Sequence, residues 1–206
     1  IDDHLKLLGG DSGLLRSLAA SFRGSSAVET RRGTVDEVSA RIVATLPSVR
    51  DSLGRVFAIL STILDDQPHG DPAFDREARI TSATRSQPVW SVLEIQWETA
   101  NVFLSELEND LSALLMSLEG LEDARVLDYE ALLLETSNIL QRNAELRQHL
   151  MEFVPQPESD VIYWLRRAKR SGGMTLYAAP VHIGEHLEQK VYSQKRSVIL
   201  TSATIS

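Results

Sequence analysis

Thr201-Ser202-Ala203-Thr204 follows directly on the apolar run Ser197-Val-Ile-Leu200. Short hydroxyl side chains at the carboxyl end of a buried strand stand where α/β sheets bind their ligands. Other chemistry is thinly represented. His182 and His186 are four residues apart with Glu185 and Glu188 beside them. A helix start is expected between them, near Gly184, and the spacing is not His-Glu-x-x-His, so we read no metal site. The remaining histidines, His4, His69 and His149, are scattered. Carboxylate pairs such as Asp65-Asp66 and Glu106/Glu108 fall in polar turns of helical segments and read as solvated surface. There is no Gly-x-Ser-x-Gly, no nucleophile–histidine pair and no Gly-x-x-x-x-Gly-Lys-[Ser/Thr] phosphate loop. The absence of cysteine removes disulfides, thiol catalysis and cysteine-held metal clusters from this segment.

The charge is uneven. The chain of 206 residues carries a net −8. Residues 161–206 hold seven basic side chains (Arg166, Arg167, Lys169, Arg170, Lys190, Lys195, Arg196) and two acidic ones (Glu185, Glu188), a net +5 that leaves −13 for residues 1–160. An acidic body repels phosphate unless its cations cluster on one face, which argues against a free-standing nucleic-acid-binding module. Arg76, Arg79 and Arg85 form a second, smaller group of cations.

The elements that must position these residues are mostly helices. Apolar residues make up 43% and charged residues 24%, the balance of a globular chain able to bury one large core or two small ones. Leu14, Leu15, Leu18 and Phe22 share a face of a short helix with Ser12 as N-cap. Thr34 and Glu37 predict a capping box that starts a long segment with Val35, Val38, Ile42, Val43 and Leu46 on one stripe. Pro47 is either the first-turn residue of a new helix or a kink in one long helix. Val49, Leu53, Val56, Phe57, Leu60, Ile63 and Leu64 continue the stripe. Residues 74–85 do not read as helix, and an irregular or short extended excursion is expected there. Pro88 opens the next helix, Gly120 ends it, and no breaker interrupts it, a length of roughly 45 Å. A third long helix is expected from Val126 to about Glu152. Trp90, Trp97 and the leucines of these stripes read as core.

After Val154-Pro-Gln-Pro157 the pattern changes. Val161–Leu165 and Met174–Val181 are short β-forming runs separated by the charged turn 166–173, and a short helix, Glu185–Ser193, and the strand Ser197–Leu200 follow. The expected fold is mainly α: a long antiparallel helical bundle with a small α/β C-terminal portion that belongs to an incomplete sheet. A chain that opens at Ile1 and closes on the exit from an apolar strand predicts a piece of a larger protein.

This organisation resembles the DinG-like branch of superfamily 2 DNA helicases, the relatives of the XPD helicase. The resemblance rests on Tyr177-Ala-Ala-Pro-Val181, the short helix after it, and Ser197-Val-Ile-Leu-Thr-Ser-Ala-Thr204, across residues 161–206. Arg79-Ile-Thr81 followed by Pro88-Val-Trp90 is similar to the helical arch of such enzymes. The implied division is a helical lead-in from the motor domain (1–33), an arch-like bundle (34–157) and a return segment into the motor sheet (158–206).

The resemblance implies that Thr201, Ser202, Ala203 and Thr204 belong to the motif coupling ATP hydrolysis to strand movement. It implies that the arch walls a passage for single-stranded DNA. Arg76, Arg79 and Arg85 are then DNA-binding candidates on the excursion, and Arg166, Arg167, Lys169 and Arg170 at its base. ATP and Mg would be held by the parent outside this chain, as would any iron–sulfur cluster. A cytoplasmic enzyme of DNA repair, without membrane association, is implied. The alternative is a non-catalytic helical bundle that serves as a structural or protein-interaction domain.

Overall fold

The computed structural model describes residues 2–10, 13–21, 29–67, 74–121, 126–182, 184, 187–195 and 197. Its elements are α1 (Asp2–Gly9), α2 (Leu14–Ser21), α3 (Glu29–Asp65), β1 (Arg76–Ile80), α4 (Ser82–Arg85), α5 (Pro88–Glu119), α6 (Tyr129–Phe153), β2 (Val161–Arg167) and β3 (Met174–Pro180), followed by a π-helical turn at Glu188–Tyr192. The chain is mainly helical, with one small sheet.

The long helices form because their apolar residues recur at helical spacing and need one another for cover. α5 is the central one. Its Trp90, Leu93, Trp97, Ala100, Leu104, Leu107, Leu111, Leu114 and Leu118 are all buried, packed between α3 and α6. Burying each of these leucines contributes about 1.5–3 kcal/mol of transfer free energy. Polar contacts record the antiparallel register. Arg41 of α3 donates to Asp110 of α5 at 2.8 Å. Arg147 of α6 donates to Asn101 at 2.7 Å and to Glu108 at 2.9 Å, and buried Asn143 donates to the Leu104 carbonyl at 3.0 Å. α1 and α2 pack on α3 and α6.

Helix boundaries follow the sequence signals in part. Pro88 stands in the first turn of α5 and Gly120 at its C-cap, as their types predict. The expected capping box at Thr34 is not a helix start, because α3 already begins at Glu29 and Thr34 lies inside it. No proline or paired glycine interrupts 29–34, so the helix continues outward past the local signal. The two readings of Pro47 resolve to a single helix that carries the proline in its interior. Pro47 is exposed, as is Val43 one turn earlier, so the Val43 carbonyl left without an amide partner faces water. A capping box does occur at Thr81, whose hydroxyl accepts from the Thr84 amide while the Thr84 hydroxyl accepts from the Thr81 amide, each at 3.2 Å. It turns the chain sharply from β1 into α4.

The three strands form one antiparallel sheet in the order β1-β2-β3. β2 and β3 are joined by a tight turn in which Gly172 takes φ 67°, a left-handed conformation that glycine adopts without steric cost. So short a connection can only make an antiparallel pair, whereas a parallel pair would need a crossover. The excursion between α3 and α5 supplies β1 and with it an edge of the sheet, so pairing runs across the division expected at residue 157. Alternate residues Ala78, Ile80, Tyr163 and Leu165 are buried against the helices. The Tyr163 ring meets Phe153, at the end of α6, edge to face at 5.5 Å. The sheet therefore closes the end of the bundle where α3 finishes, α5 starts and α6 finishes. The expected strand Ser197–Leu200 lies, apart from Ser197, outside the described residues.

Candidate nucleic-acid interface

Six of the seven cation candidates are carried by the sheet or its hairpin turn, and the seventh, Arg85, ends α4 directly after β1. Their surroundings differ sharply. Arg76 and Arg167 are cross-strand partners, and both reach the carboxylate of Asp65 at the end of α3. Nη1 of each lies 2.8 Å from the same Asp65 oxygen, and Arg167 Nη2 lies 3.1 Å from the other. Arg76 Nη2 also donates to the main-chain carbonyls of Asp65 at 2.8 Å and Gln67 at 3.2 Å, which the end of a helix leaves without amide partners. Arg167 further contacts the Ser61 hydroxyl. The hydrogen bond from Arg167, then the nearby charges of Arg167 and Arg76, hold the Asp65 carboxyl below its usual range. The same pairing raises Arg167. Two of the arginines thus fasten the sheet to the last turn of α3.

Arg166 and Lys169 are organised around Asp75. One carboxylate oxygen accepts from Arg166 Nε at 2.8 Å, and the other accepts from the Lys169 amide at 2.9 Å. The amide is the main cause of a lowered Asp75 pKa, with Arg166 second. Arg166 is raised, by Asp75 first and by a hydrogen bond with the Tyr177 side chain second. Arg85 faces inward. Its guanidinium lies 4.5 Å from the centre of the Trp90 ring and 5.3 Å from that of Tyr163, and Nη1 donates to the Val154 carbonyl at 2.9 Å beyond the end of α6. Nη2 is buried without a hydrogen-bond partner, and burial lowers the Arg85 pKa. This arginine joins α4, α5, α6 and β2 from within.

Arg79 and Arg170 are exposed, and among the described residues neither side chain takes an ion pair or hydrogen bond. Arg79 projects from the outward face of β1, in register with Trp164 of β2, which is in register with Tyr177 of β3. The Trp164 and Tyr177 rings are stacked, with centroids 4.9 Å apart and planes 5° from parallel. Trp164 was hidden in the sequence within an apolar run. Strand alternation is the signal that separates it from buried Tyr163 and Leu165, its immediate neighbours.

Thr201, Ser202, Ala203 and Thr204 lie outside the described residues, as do Glu185 and His186. Among the described residues no group of three or more His, Cys, Asp or Glu side chains could hold a metal ion. No helix among them is long and apolar enough to cross a membrane. Compared with family models, with curated proteins and with solved structures, the chain matches none of them.

Proposed function

We propose that this chain is the helical arch and motor-return segment of a DinG-type, ATP-dependent DNA helicase, and that it guides single-stranded DNA along its sheet-bearing end. The observation that carries this reading is the gathering of cations on a small sheet at one end of an otherwise acidic bundle. The hairpin 161–180 holds Arg166, Arg167, Lys169 and Arg170 and no acidic residue. The likeness of residues 161–206 to the return segment of such helicases supports it further. In this reading Arg76, Arg85, Arg166 and Arg167 build the surface, and Arg79 and Arg170 are the cations open to phosphate. Ser202 and Thr204 take the coupling role through their hydroxyls.

The residues of this chain offer ATP no phosphate loop and an iron–sulfur cluster no cysteine. Both groups belong to other parts of the proposed cytoplasmic parent, and the segment alone turns over no ATP. The test is titration of the chain with an end-labelled oligothymidylate, followed by anisotropy at several salt concentrations. Binding should weaken linearly in the log–log plot. Replacing Arg79 and Arg170 together by Gln should flatten the slope by about 1.4 units, at roughly 0.7 per phosphate contact on a single strand. Absent or salt-independent binding refutes the reading.

One observation favours the second reading, a protein-interaction bundle. Val92, Ile95 and Val102 of α5 are exposed at 49%, 58% and 54%, at spacings that place them on one helix face. Stoichiometric capture of another protein through this face, with no affinity for DNA, would favour it.

A further inference from the structure

The outward face of a three-stranded sheet is usually polar when water covers it. Here its central row is Arg79, Trp164 and Tyr177, one residue from each strand. The inward neighbours Ala78, Ile80, Tyr163 and Leu165 are at most 6% exposed, so the bundle takes that face and leaves the other. Trp164 and Tyr177 keep part of their surface in water, unlike Trp90 and Trp97, which are 1% and 2% exposed. Their parallel rings are held by the strand register, which sets their spacing. The arrangement is a stiff aromatic ledge with an unengaged cation on one flank and the basic hairpin turn at one end.

We propose that this ledge is a seat for the bases of single-stranded DNA. Trp164 and Tyr177 offer ring surface to one or two unstacked bases, and Arg79 meets the phosphate that joins them. This rests on the reading that the chain guides single-stranded DNA, and it names where the bases go. Charge favours this occupant. Phosphates are drawn to the end of the molecule where Arg79 and Arg170 stand open, and repelled by the acidic helices. Aromatic rings accept any base through its π-face, as a guide that moves along a strand requires. Glu77, exposed on the same face two register rows from Arg79, is paired with Arg166 at 3.5 Å, which leaves Arg79 as the open cation beside the ledge.

Tryptophan emission tests this directly, because Trp164 is the only tryptophan not fully buried. Oligothymidylate is added to the full chain while emission and the anisotropy of a labelled oligonucleotide are followed together. Emission should be quenched in step with binding. Trp164→Leu and Tyr177→Leu should each weaken binding about fivefold to a hundredfold, the range of a lost base stack, with the salt slope unchanged. Arg79→Gln should lower the slope by about 0.7 with quenching retained at saturation. Wild-type binding with no change in emission overturns the ledge even if a variant fails to fold, and leaves the DNA-guiding reading standing. So does unchanged affinity in both aromatic variants. A wild-type chain that binds no oligonucleotide removes both readings. Self-association that shields Trp164 from acrylamide without DNA assigns the face to a second copy and also overturns the proposal.

Discussion

Asp65→Asn isolates the joint between bundle and sheet. Asp65 is the last residue of α3, where a negative charge opposes the helix dipole, so its carboxylate gains from the two arginines that reach it and, at 3.5 Å, from the Ser61 hydroxyl. Asparagine keeps the shape and one acceptor but removes the charge from both contacts. The Asp65 side chain is 46% exposed, and those of Arg76 and Arg167 are 23% and 26% exposed. Partly solvated pairs of this kind are each worth about 0.2–1 kcal/mol, and the two share one carboxylate. A combined loss of about 1 kcal/mol follows, or a fall of roughly 2–4 °C in the unfolding midpoint for a chain of this size. The pH dependence is fixed by the direction of the Asp65 shift. Its carboxyl is held below its usual range in the folded chain, so the stabilisation is fully present above the unfolded value of about 3.9. It is lost as pH falls through the lower, folded value, because protonation then breaks the same contacts in the native protein. Thermal unfolding followed by circular dichroism, for both proteins between about pH 7 and pH 3, reads the difference. It should shrink toward zero at the acid end and also shrink in about 1 M salt. A difference that is absent near neutrality, or constant through the acid range, refutes the carboxylate as the joint.

Two further perturbations follow from the geometry. Asp75→Ala removes the acceptor of the Lys169 amide and the partner of Arg166, so hydrogen exchange at the Lys169 amide should accelerate while amides in α5 stay protected. Relative to the intrinsic exchange rate, which itself slows in acid, protection of this amide should also fall in the unmodified protein as pH drops through the depressed Asp75 value, and unchanged protection in both cases removes Asp75 from the turn. Arg85→Lys keeps the charge but loses the planar group that lies over Trp90 and Tyr163, and should lower stability by about 1–2 kcal/mol. Chemical denaturation measures it, and a stability equal to that of the parent chain contradicts the stacked role.

The helical part was legible because its signals are repetitive. Val35 to Leu64 and Trp90 to Leu118 repeat an apolar stripe often enough to outvote any single residue, which is why Pro47 does not break α3. Single-residue signals fared unevenly. Pro88 and Gly120 mark their helix ends, whereas the Thr34 box sits inside a helix that already begins at Glu29. The excursion at 74–85 reads in sequence as irregular or short and extended, not as a sheet partner. Its last turn, Ser82–Arg85, is helical against that expectation because the Thr81 capping box starts a helix there. Pairing β1 with β2 joins residues more than eighty positions apart, and no local pattern encodes that. The cation candidates show the same limit. Seven basic side chains in sequence are alike, and only their neighbours distinguish Arg76 and Arg167 on Asp65, Arg166 on Asp75 and Arg85 on Trp90 from open Arg79 and Arg170.

By itself, then, the sequence determined the periodic and the additive properties: long amphipathic helices, short β-forming runs after Pro157, and an acidic body with a basic C-terminal part. These depend on residue type and spacing along the chain, and they survive without knowledge of any contact. The tertiary structure decided which charges are spent inside the molecule and which face water, and it aligned Arg79, Trp164 and Tyr177 in one row. The physical reason is that ion pairing and stacking act over a few ångströms between residues that only the folded chain brings together.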